Sequence, residues 1–340
     1  MKKNYPLKKP LPIGISDFKD VIDGGYAYVD KSLLIEELEQ RGTVVALIPR
    51  MRRFGKTLNL SMLRYFFEKR ESDTSYLFKN LNIWKEEQYR QLQGKFPVIF
   101  LTLKDIKQPS FEQMFKSLHR VVTTEYTRHR YLLDGETLTP EEKDYFNTIL
   151  KTAADAPLLE ESLLRLTEWL SRYHKTKVIL LIDEYDTPAH SAFVGGFYET
   201  LISFLRNWLS AGLKDNGCIE RAVLTGILRI TKESIFSGLN NVRTFSILNK
   251  PFQDKFGLLE SEVAAVLEEY DLSGKLSGMR EWYNGYRIGS CPGIYNPWSV
   301  LTCIESEGEF APYWVNTSDN ALMKQLITKG GKELKADLEE

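Results

Sequence analysis

The stretch that decides the fold is VVALIPRMRRFGKTL, residues 44–58. An apolar run at 44–48 is followed by a basic loop, and the loop leads into an amphipathic helical pattern over 58–70. The loop ends in Gly-Lys-Thr, the second half of the phosphate-binding sequence G-x-x-x-x-G-K-[ST]. Arg50 stands where that sequence has its first glycine. Strand, loop and helix in this order predict a phosphate site, and a solvated basic loop is the alternative.

Each residue at the end of the loop has a physical role in such a site. A glycine lets the backbone approach a phosphate without a Cβ in the way. The lysine places a charge on the β- and γ-phosphates, the threonine hydroxyl can bind Mg²⁺, and the following helix offers free N–H groups. The bulk of Arg50 is expected to crowd the loop and slow turnover. The predicted nucleotide-contacting residues are Arg53, Phe54, Gly55, Lys56, Thr57 and Leu58.

A second motif, VILLIDEYD at residues 178–186, makes the solvated-loop alternative improbable. An apolar strand that runs directly into Asp-Glu is the Walker B pattern. Asp183 is predicted to hold Mg²⁺ beside Thr57, and Glu184 to activate an attacking water as general base. Both motifs fall at the carboxyl ends of predicted strands, where α/β sheets bind their ligands. Lys56 and Glu184 are therefore candidate catalytic residues.

A third, less specific candidate follows the apolar residues 222–224. Thr225 at the tip of that strand could sense a γ-phosphate. Arg229 or Lys232 could neutralise charge in the transition state, as an arginine finger does. Arg229 enters the predicted catalytic set on this ground, and its pairing with a surface carboxylate stays open as the alternative.

Continuous apolar runs at 44–48, 97–103 and 177–182, with further candidates at 221–227 and 243–248, alternate with helical patterns. This alternation predicts an α/β fold with a doubly wound, mostly parallel sheet flanked by helices. The helical patterns lie at 31–41 with Asp30 as N-cap, 110–130, 140–152, 158–174, 198–213 and 260–269.

The pattern changes near residue 252. An Asn-Gly turn at 284–285, flanked by aromatic residues, predicts a hairpin, and Asn296 followed by Pro297 predicts a capped helix through 304. The predicted division is a core at 1–250, opening with an entry segment at 1–30, and a small C-terminal α+β lid or linker region at 251–340.

Composition narrows the class of protein. The 340 residues carry 45 basic and 46 acidic side chains, a net charge of −1, which disfavours a protein that coats nucleic acid. Three scattered cysteines disfavour a disulfide framework or a zinc site. No apolar stretch approaches the ~20 residues that span a bilayer, so we expect a soluble, cytoplasmic protein without a membrane partner.

Taken together, the motifs resemble those of the bacterial AAA-ATPase-like family of P-loop proteins. The matching stretches are PLPIGISDF, YVDKSLLI, RMRRFGKTLNLSML, VILLIDEYDTP, LTGILRITKESIFSGLNN, WYNGY and IYNPWSV. The resemblance implies an ATP-binding core in which Lys56, Thr57, Asp183 and Glu184 act as described. It also implies that Arg50 is the family's usual departure from the Walker A sequence.

Members of that family often continue into a nuclease-like domain of the PD-(D/E)XK type. None is expected within these 340 residues, and the charged, glycine-broken segment from Lys329 onward is typical of a linker. The expected function is Mg²⁺-dependent ATP hydrolysis that drives a conformational change in an attached or partner module. A nucleotide-gated switch with little hydrolysis and a DNA-directed module remain alternatives, and a homo-oligomer stays open.

Overall fold

The centre of the molecule is a parallel β-sheet. The computed structural model describes residues 8–227, 235–236 and 239–314. Within them the strands of the sheet are β1 (Val45–Pro49), β2 (Val98–Thr102), β3 (Val178–Asp183), β4 (Ile219–Gly226) and β5 (Val242–Thr244). They pair in the order β2-β3-β4-β1-β5, and every neighbouring pair is parallel. The predicted doubly wound α/β sheet is confirmed.

Helices connect these strands and continue beyond them. The described part of the chain contains α1 (Phe18–Asp23), α2 (Leu33–Arg41), α3 (Lys56–Phe67), α4 (Glu87–Arg90), α5 (Phe111–Arg128), α6 (Pro140–Leu150), α7 (Ala156–Glu160), α8 (Ser162–His174), α9 (Thr187–Gly195), α10 (Tyr198–Leu213), α11 (Glu260–Glu269), α12 (Leu276–Tyr283) and α13 (Pro297–Glu305). No helix among these residues combines the length and apolar character that crossing a membrane requires.

Apolar clusters cover both faces of the sheet, which explains why its strands are apolar along their whole length. Every residue of β1 is buried. Val45 and Leu47 belong to a cluster with α5, α8 and α10, whereas Ala46 and Ile48 belong to a second cluster with α2 and α3. The alternation of side chains along one strand therefore supplies both layers of the core.

Several helix boundaries differ from the sequence prediction, and two of the differences lie at the start of α2 and within residues 158–174. The N-cap of α2 is Ser32 rather than Asp30, because the Asp30 carboxylate accepts hydrogen bonds from the backbone N–H groups of Ser32 and Asn82. The single helix predicted over 158–174 is two helices, α7 and α8, which meet at Glu161. Neither change moves a residue of the candidate site.

The predicted C-terminal hairpin forms, but its turn lies elsewhere. Its strands are β6 (Asn284–Ile288) and β7 (Cys291–Tyr295), and Asn284 pairs with Tyr295 at the open end. The turn falls at Gly289 and Ser290 instead of Asn284 and Gly285. Gly289 has φ +57°, and a Cβ there would lie 2.7 Å from the Asn249 carbonyl oxygen, so only glycine fits.

Residues 252–314, named here the C-terminal region, have an apolar cluster of their own built from α11, α12, β7 and α13. Helix α13 begins as predicted, with the Asn296 side chain accepting from the Ser299 N–H. A buried ion pair, Lys31 to Glu262 at 2.7 Å, ties this region to the segment before α2. Burial lowers the pKa of Lys31, and the Glu262 carboxylate opposes that shift.

The edge of the sheet at β2 is capped by side chains of α5. The Glu125 carboxylate accepts from the Phe100 N–H at 2.9 Å, and Arg128 donates to the Val98 carbonyl oxygen at 2.5 Å. Arg128 also pairs with Glu125 and with Glu68. These contacts occupy backbone groups that an edge strand would otherwise present to another chain.

The Glu125 cap predicts an acid-sensitive contribution to stability. Burial alone would raise the pKa of Glu125, but Arg128 and His129 outweigh it and hold the pKa at about 2. Because the pKa is depressed in the folded state, the contribution is complete above the ordinary value of 4.5 and is lost as pH falls towards 2. We expect Glu125→Gln to lower the free energy of unfolding by roughly 3 kcal/mol at pH 7.

Urea unfolding at pH 7, 4 and 3 measures this difference. The difference in free energy of unfolding between the unaltered protein and Glu125→Gln should decrease as pH falls. Glu112→Gln on the same helix is the control, because Glu112 is fully exposed. A difference in free energy of unfolding that does not change with pH would contradict the stabilising role of the ionised Glu125 carboxylate.

Candidate functional site

The basic loop ends where α3 begins, and Lys56 and Thr57 already belong to the helix. The prediction placed the first helical residue at Leu58, whereas α3 starts at Lys56. Gly55 precedes it with φ +78°, and no side chain caps the helix. Uncapped N–H groups and the positive end of the helix dipole attract anions. Lys56 and Thr57 therefore lie in the turn whose N–H groups are free to donate to an anion.

Asp183, the last residue of β3, connects this turn to the sheet. Its carboxylate is buried and accepts from the Thr57 hydroxyl at 2.7 Å and from the Thr225 hydroxyl at 2.8 Å. The predicted meeting of Thr57 with Asp183 is thus present in the geometry. A hydroxyl and a carboxylate are hard oxygen donors of the kind that Mg²⁺ prefers, so this donor pair fits the ion.

Lys56 and Glu184 form a second pair beside the first. The Lys56 ammonium lies 3.1 Å from the Glu184 carboxylate and also donates to the Met51 carbonyl oxygen at 3.2 Å. Burial raises the pKa of Glu184, Lys56 opposes this, and the nearby Asp183 adds to it. Glu184 also has φ +53°, a backbone conformation uncommon for a non-glycine residue and enriched at functional sites.

Arg50 lies in the protein interior, where it neither contacts the cleft nor crowds the loop. Its guanidinium is buried and donates to the carbonyl oxygens of Pro49, Phe245 and Phe252 at 2.8, 2.7 and 3.1 Å. Burial lowers its pKa to about 10. The expectation that Arg50 crowds the loop is wrong, because the side chain is buried and joins β1 to the segment after β5.

Phe54 and Arg53, both predicted to contact nucleotide, pack against the C-terminal region. Phe54 is 1% exposed, and its ring meets Tyr286 edge-on at 4.9 Å between centroids. Its side chain therefore cannot face a ligand. Arg53 is exposed, has φ +66°, and places its guanidinium 4.1 Å from the centre of the Trp298 ring.

A cleft of about 560 Å³ contains the loop, the start of α3 and Glu184. This volume is within the range typical of small-molecule sites. The lining residues come from six places along the chain: 12–16, Arg52 and Arg53 with 55–58, Lys104 with Asp105 and Lys107, Glu184 with Thr187, Ile227, and Pro297 with Trp298 and Leu301. Of the predicted nucleotide-contacting residues, all but Phe54 line it.

The remaining predictions fall outside the cleft or outside the described residues. Thr225 is fully buried and holds Asp183 instead of facing a ligand. Arg229 and Lys232 lie outside the residues that the structure describes. Sequence reasoning missed Lys104 and Lys107, although they follow β2 and the strand-end rule would have found them. It also missed the contact of Trp298 with Arg53, which no local pattern signals.

Comparison with known families agrees with this geometry. The profile of the AAA-ATPase-like family, described as predicted AAA-ATPase, matches residues 12–236, about two thirds of the chain. The chain belongs to this family. The match includes the loop, Asp183 and Glu184, and it ends before the C-terminal region.

One curated relative extends the likeness over almost the whole chain. An uncharacterized protein encoded in the vnfD 5′ region of Azotobacter chroococcum mcd 1 is 27% identical over 328 residues, which is 95% of this chain. The chain spans 57% of that relative's length. No solved structure matches the chain significantly.

The burial of Arg50 predicts that restoring the Walker A glycine damages the protein. Arg50→Gly would leave three carbonyl oxygens without their donor, and each buried unsatisfied group costs about 1–3 kcal/mol. We expect the free energy of unfolding to fall by roughly 3 kcal/mol or more, measured by urea denaturation. Arg52→Gly, the same change in a residue that lines the cleft, is the control. Equal stability of the two variants would contradict this role of Arg50.

Proposed function

We propose that the cleft binds ATP with Mg²⁺ and hydrolyses it. The observation that carries this proposal is the contact between the first turn of α3 and the carboxyl end of β3. Lys56 and Thr57 in the first turn of α3 contact Glu184 and Asp183 at the end of β3, at 3.1 and 2.7 Å. Cation, hydroxyl and two carboxylates then surround the position where a γ-phosphate would lie. Membership of the predicted AAA-ATPase family supports the choice of ATP.

In this proposal the loop and α3 hold the phosphates. The N–H groups of the first turn donate to phosphate oxygens, and the Lys56 ammonium binds them as a point charge. Thr57 and Asp183 would hold Mg²⁺, which supplies charge neutralisation on the phosphate oxygens. Arg52, Arg53, Lys104 and Lys107 add positive charge around the cleft. Electrostatic attraction of a polyanion follows from this arrangement.

Glu184 is the proposed general base, and its ion pair with Lys56 suggests how its basicity is controlled. Without a ligand, Lys56 holds the Glu184 carboxylate at 3.1 Å. A triphosphate competes for the same ammonium, because it carries more negative charge than one carboxylate. When Lys56 turns to the phosphates, Glu184 loses the contact that lowers its pKa and becomes a stronger base for a water proton.

The proposed outcome of hydrolysis is a movement of the C-terminal region. Phe54 packs against the β6–β7 hairpin, and the Gly257 N–H donates to the Phe54 carbonyl oxygen at 3.3 Å. A change in the loop that accompanies phosphate release is therefore passed directly to residues 252–314. An attached module or a partner protein would respond to this movement.

A nucleotide-gated switch with little hydrolysis is the second candidate. The Lys56–Glu184 pair favours it, because the same contact that holds the base also stabilises a resting site. A DNA-directed module is less well supported, since Arg50 is buried and Arg52 and Arg53 line the cleft. Turnover within the common range of ~1–10³ s⁻¹ would favour an enzyme over a switch.

Two substitutions test the roles of Lys56 and Glu184. Lys56→Ala should abolish ATP binding, because it removes the cation in the anion-binding turn. Glu184→Gln should bind ATP and hydrolyse it at least about 100-fold more slowly, the usual contribution of a general base. Calorimetric titration and a phosphate-release assay measure both effects, with the exposed Lys116→Ala as control. Hydrolysis at the normal rate by Glu184→Gln would exclude this mechanism.

The raised pKa of Glu184 predicts the pH dependence of hydrolysis. Burial shifts this pKa above the ordinary glutamate value of 4.5, so the basic form is lost at a higher pH than usual. The acidic limb of the kcat/KM profile, which reports groups of the free enzyme, should therefore lie above pH 4.5. The limb should be absent in Glu184→Gln, and an unchanged limb in that variant would show that another group titrates.

A further inference from the structure

Part of the cleft wall is mainly apolar. Two elements distant in sequence supply this part: residues 12–16, named here the N-terminal strap, and the first turns of α13. Their lining side chains include Ile13, Ile15, Trp298 and Leu301. The acidic residues that line the described cleft, Asp105 and Glu184, belong to the loops after β2 and β3. This part of the wall, formed by the strap and α13, therefore suits an uncharged ring better than a phosphate.

The residues that follow the strap are hydrogen-bonded to α3. The Phe18 N–H donates to the Ser61 hydroxyl at 2.9 Å, and that hydroxyl donates to Asp17 at 3.1 Å. Ser61 lies one turn after Leu58 on the same face of the helix. Leu58, the strap and the start of α13 all line the cleft, so a group bound next to Leu58 shares the cleft with both.

Trp298 belongs to this apolar part of the wall, and two contacts hold its ring in place. It is half-buried, and its indole N–H donates to the Tyr313 carbonyl oxygen at 3.2 Å. The Arg53 guanidinium covers the ring at 4.1 Å, a cation–π contact between the phosphate-binding loop and α13. Arg53 is thus within reach of the same cleft that would hold the phosphates.

We propose that Trp298 stacks on the nucleobase, and that Arg53 covers its ring until phosphates draw the guanidinium away. The inference rests on the nucleotide site proposed above and adds to it the residue that meets the base. A phosphate chain offers Arg53 a stronger, charge-assisted partner than an aromatic face does. Phosphate and base then favour each other's binding, because the first uncovers the surface that the second needs.

Two substitutions at Trp298 separate stacking from packing. Trp298→Leu keeps an apolar side chain but removes the aromatic face, whereas Trp298→Phe keeps the face and removes the indole N–H. Calorimetric titration with ATP should show about tenfold weaker binding by Trp298→Leu and near-normal binding by Trp298→Phe. Inorganic tripolyphosphate, which has no base, should bind Trp298→Phe within about twofold of the unaltered protein, and Trp298→Leu at least as tightly, because the ring that holds Arg53 is then gone.

The outcomes distinguish this proposal from the one on which it rests. Failure of tripolyphosphate to bind the unaltered protein would overturn the phosphate site and the present inference with it. Tripolyphosphate binding, combined with equal ATP affinity of Trp298→Leu and the unaltered protein, would overturn the base assignment alone. Equal loss of ATP and tripolyphosphate binding in Trp298→Leu would show a packing role and also overturn it.

Arg53→Ala tests the covering role with adenosine as the probe. Removal of the guanidinium should strengthen adenosine binding several-fold, because the Trp298 ring is then open. The same variant should weaken tripolyphosphate binding, since a phosphate partner is lost. Unchanged or weaker adenosine binding by Arg53→Ala would overturn the covering role of Arg53.

Discussion

The Asp183 carboxylate is the contact on which the whole site depends. Its two oxygens accept from Thr57 on α3 and from Thr225 on β4, so one buried group joins the first turn of α3 to two strands of the sheet. A buried carboxylate is tolerated only where such partners compensate the loss of hydration. The position of Thr57, and hence of the helix end that we propose to meet phosphate, follows from this requirement.

The loop before that helix differs from a simple glycine-rich phosphate loop in what its side chains do. Arg50 is turned into the core and Phe54 into the C-terminal hairpin, while Arg53 rests on Trp298. Each of these contacts reaches residues beyond β5. The loop is therefore the joint between the sheet and the C-terminal region, and a ligand that changes the loop acts on both.

The sequence predicted the sheet, and the position of both motifs at strand ends, because the governing rules are local. Continuous apolar runs mark strands covered on both faces, and polar residues at the strand ends lie along one edge of the sheet. The contacts of Arg50 could not be predicted, since two of its three carbonyl partners lie 195 and 202 residues away in the chain. The contacts of Phe54 with Tyr286 and of Trp298 with Arg53 could not be predicted for the same reason, because only the folded chain brings these residues together.

The proposed mechanism requires a triphosphate to take Lys56 away from Glu184. A crystal structure with Mg²⁺ and a non-hydrolysable ATP analogue would show whether this happens. The Lys56 ammonium should contact phosphate oxygens, Glu184 should face the water nearest the γ-phosphate, and the pair at 3.1 Å should be broken. An intact Lys56–Glu184 pair with the nucleotide bound elsewhere would contradict this mechanism.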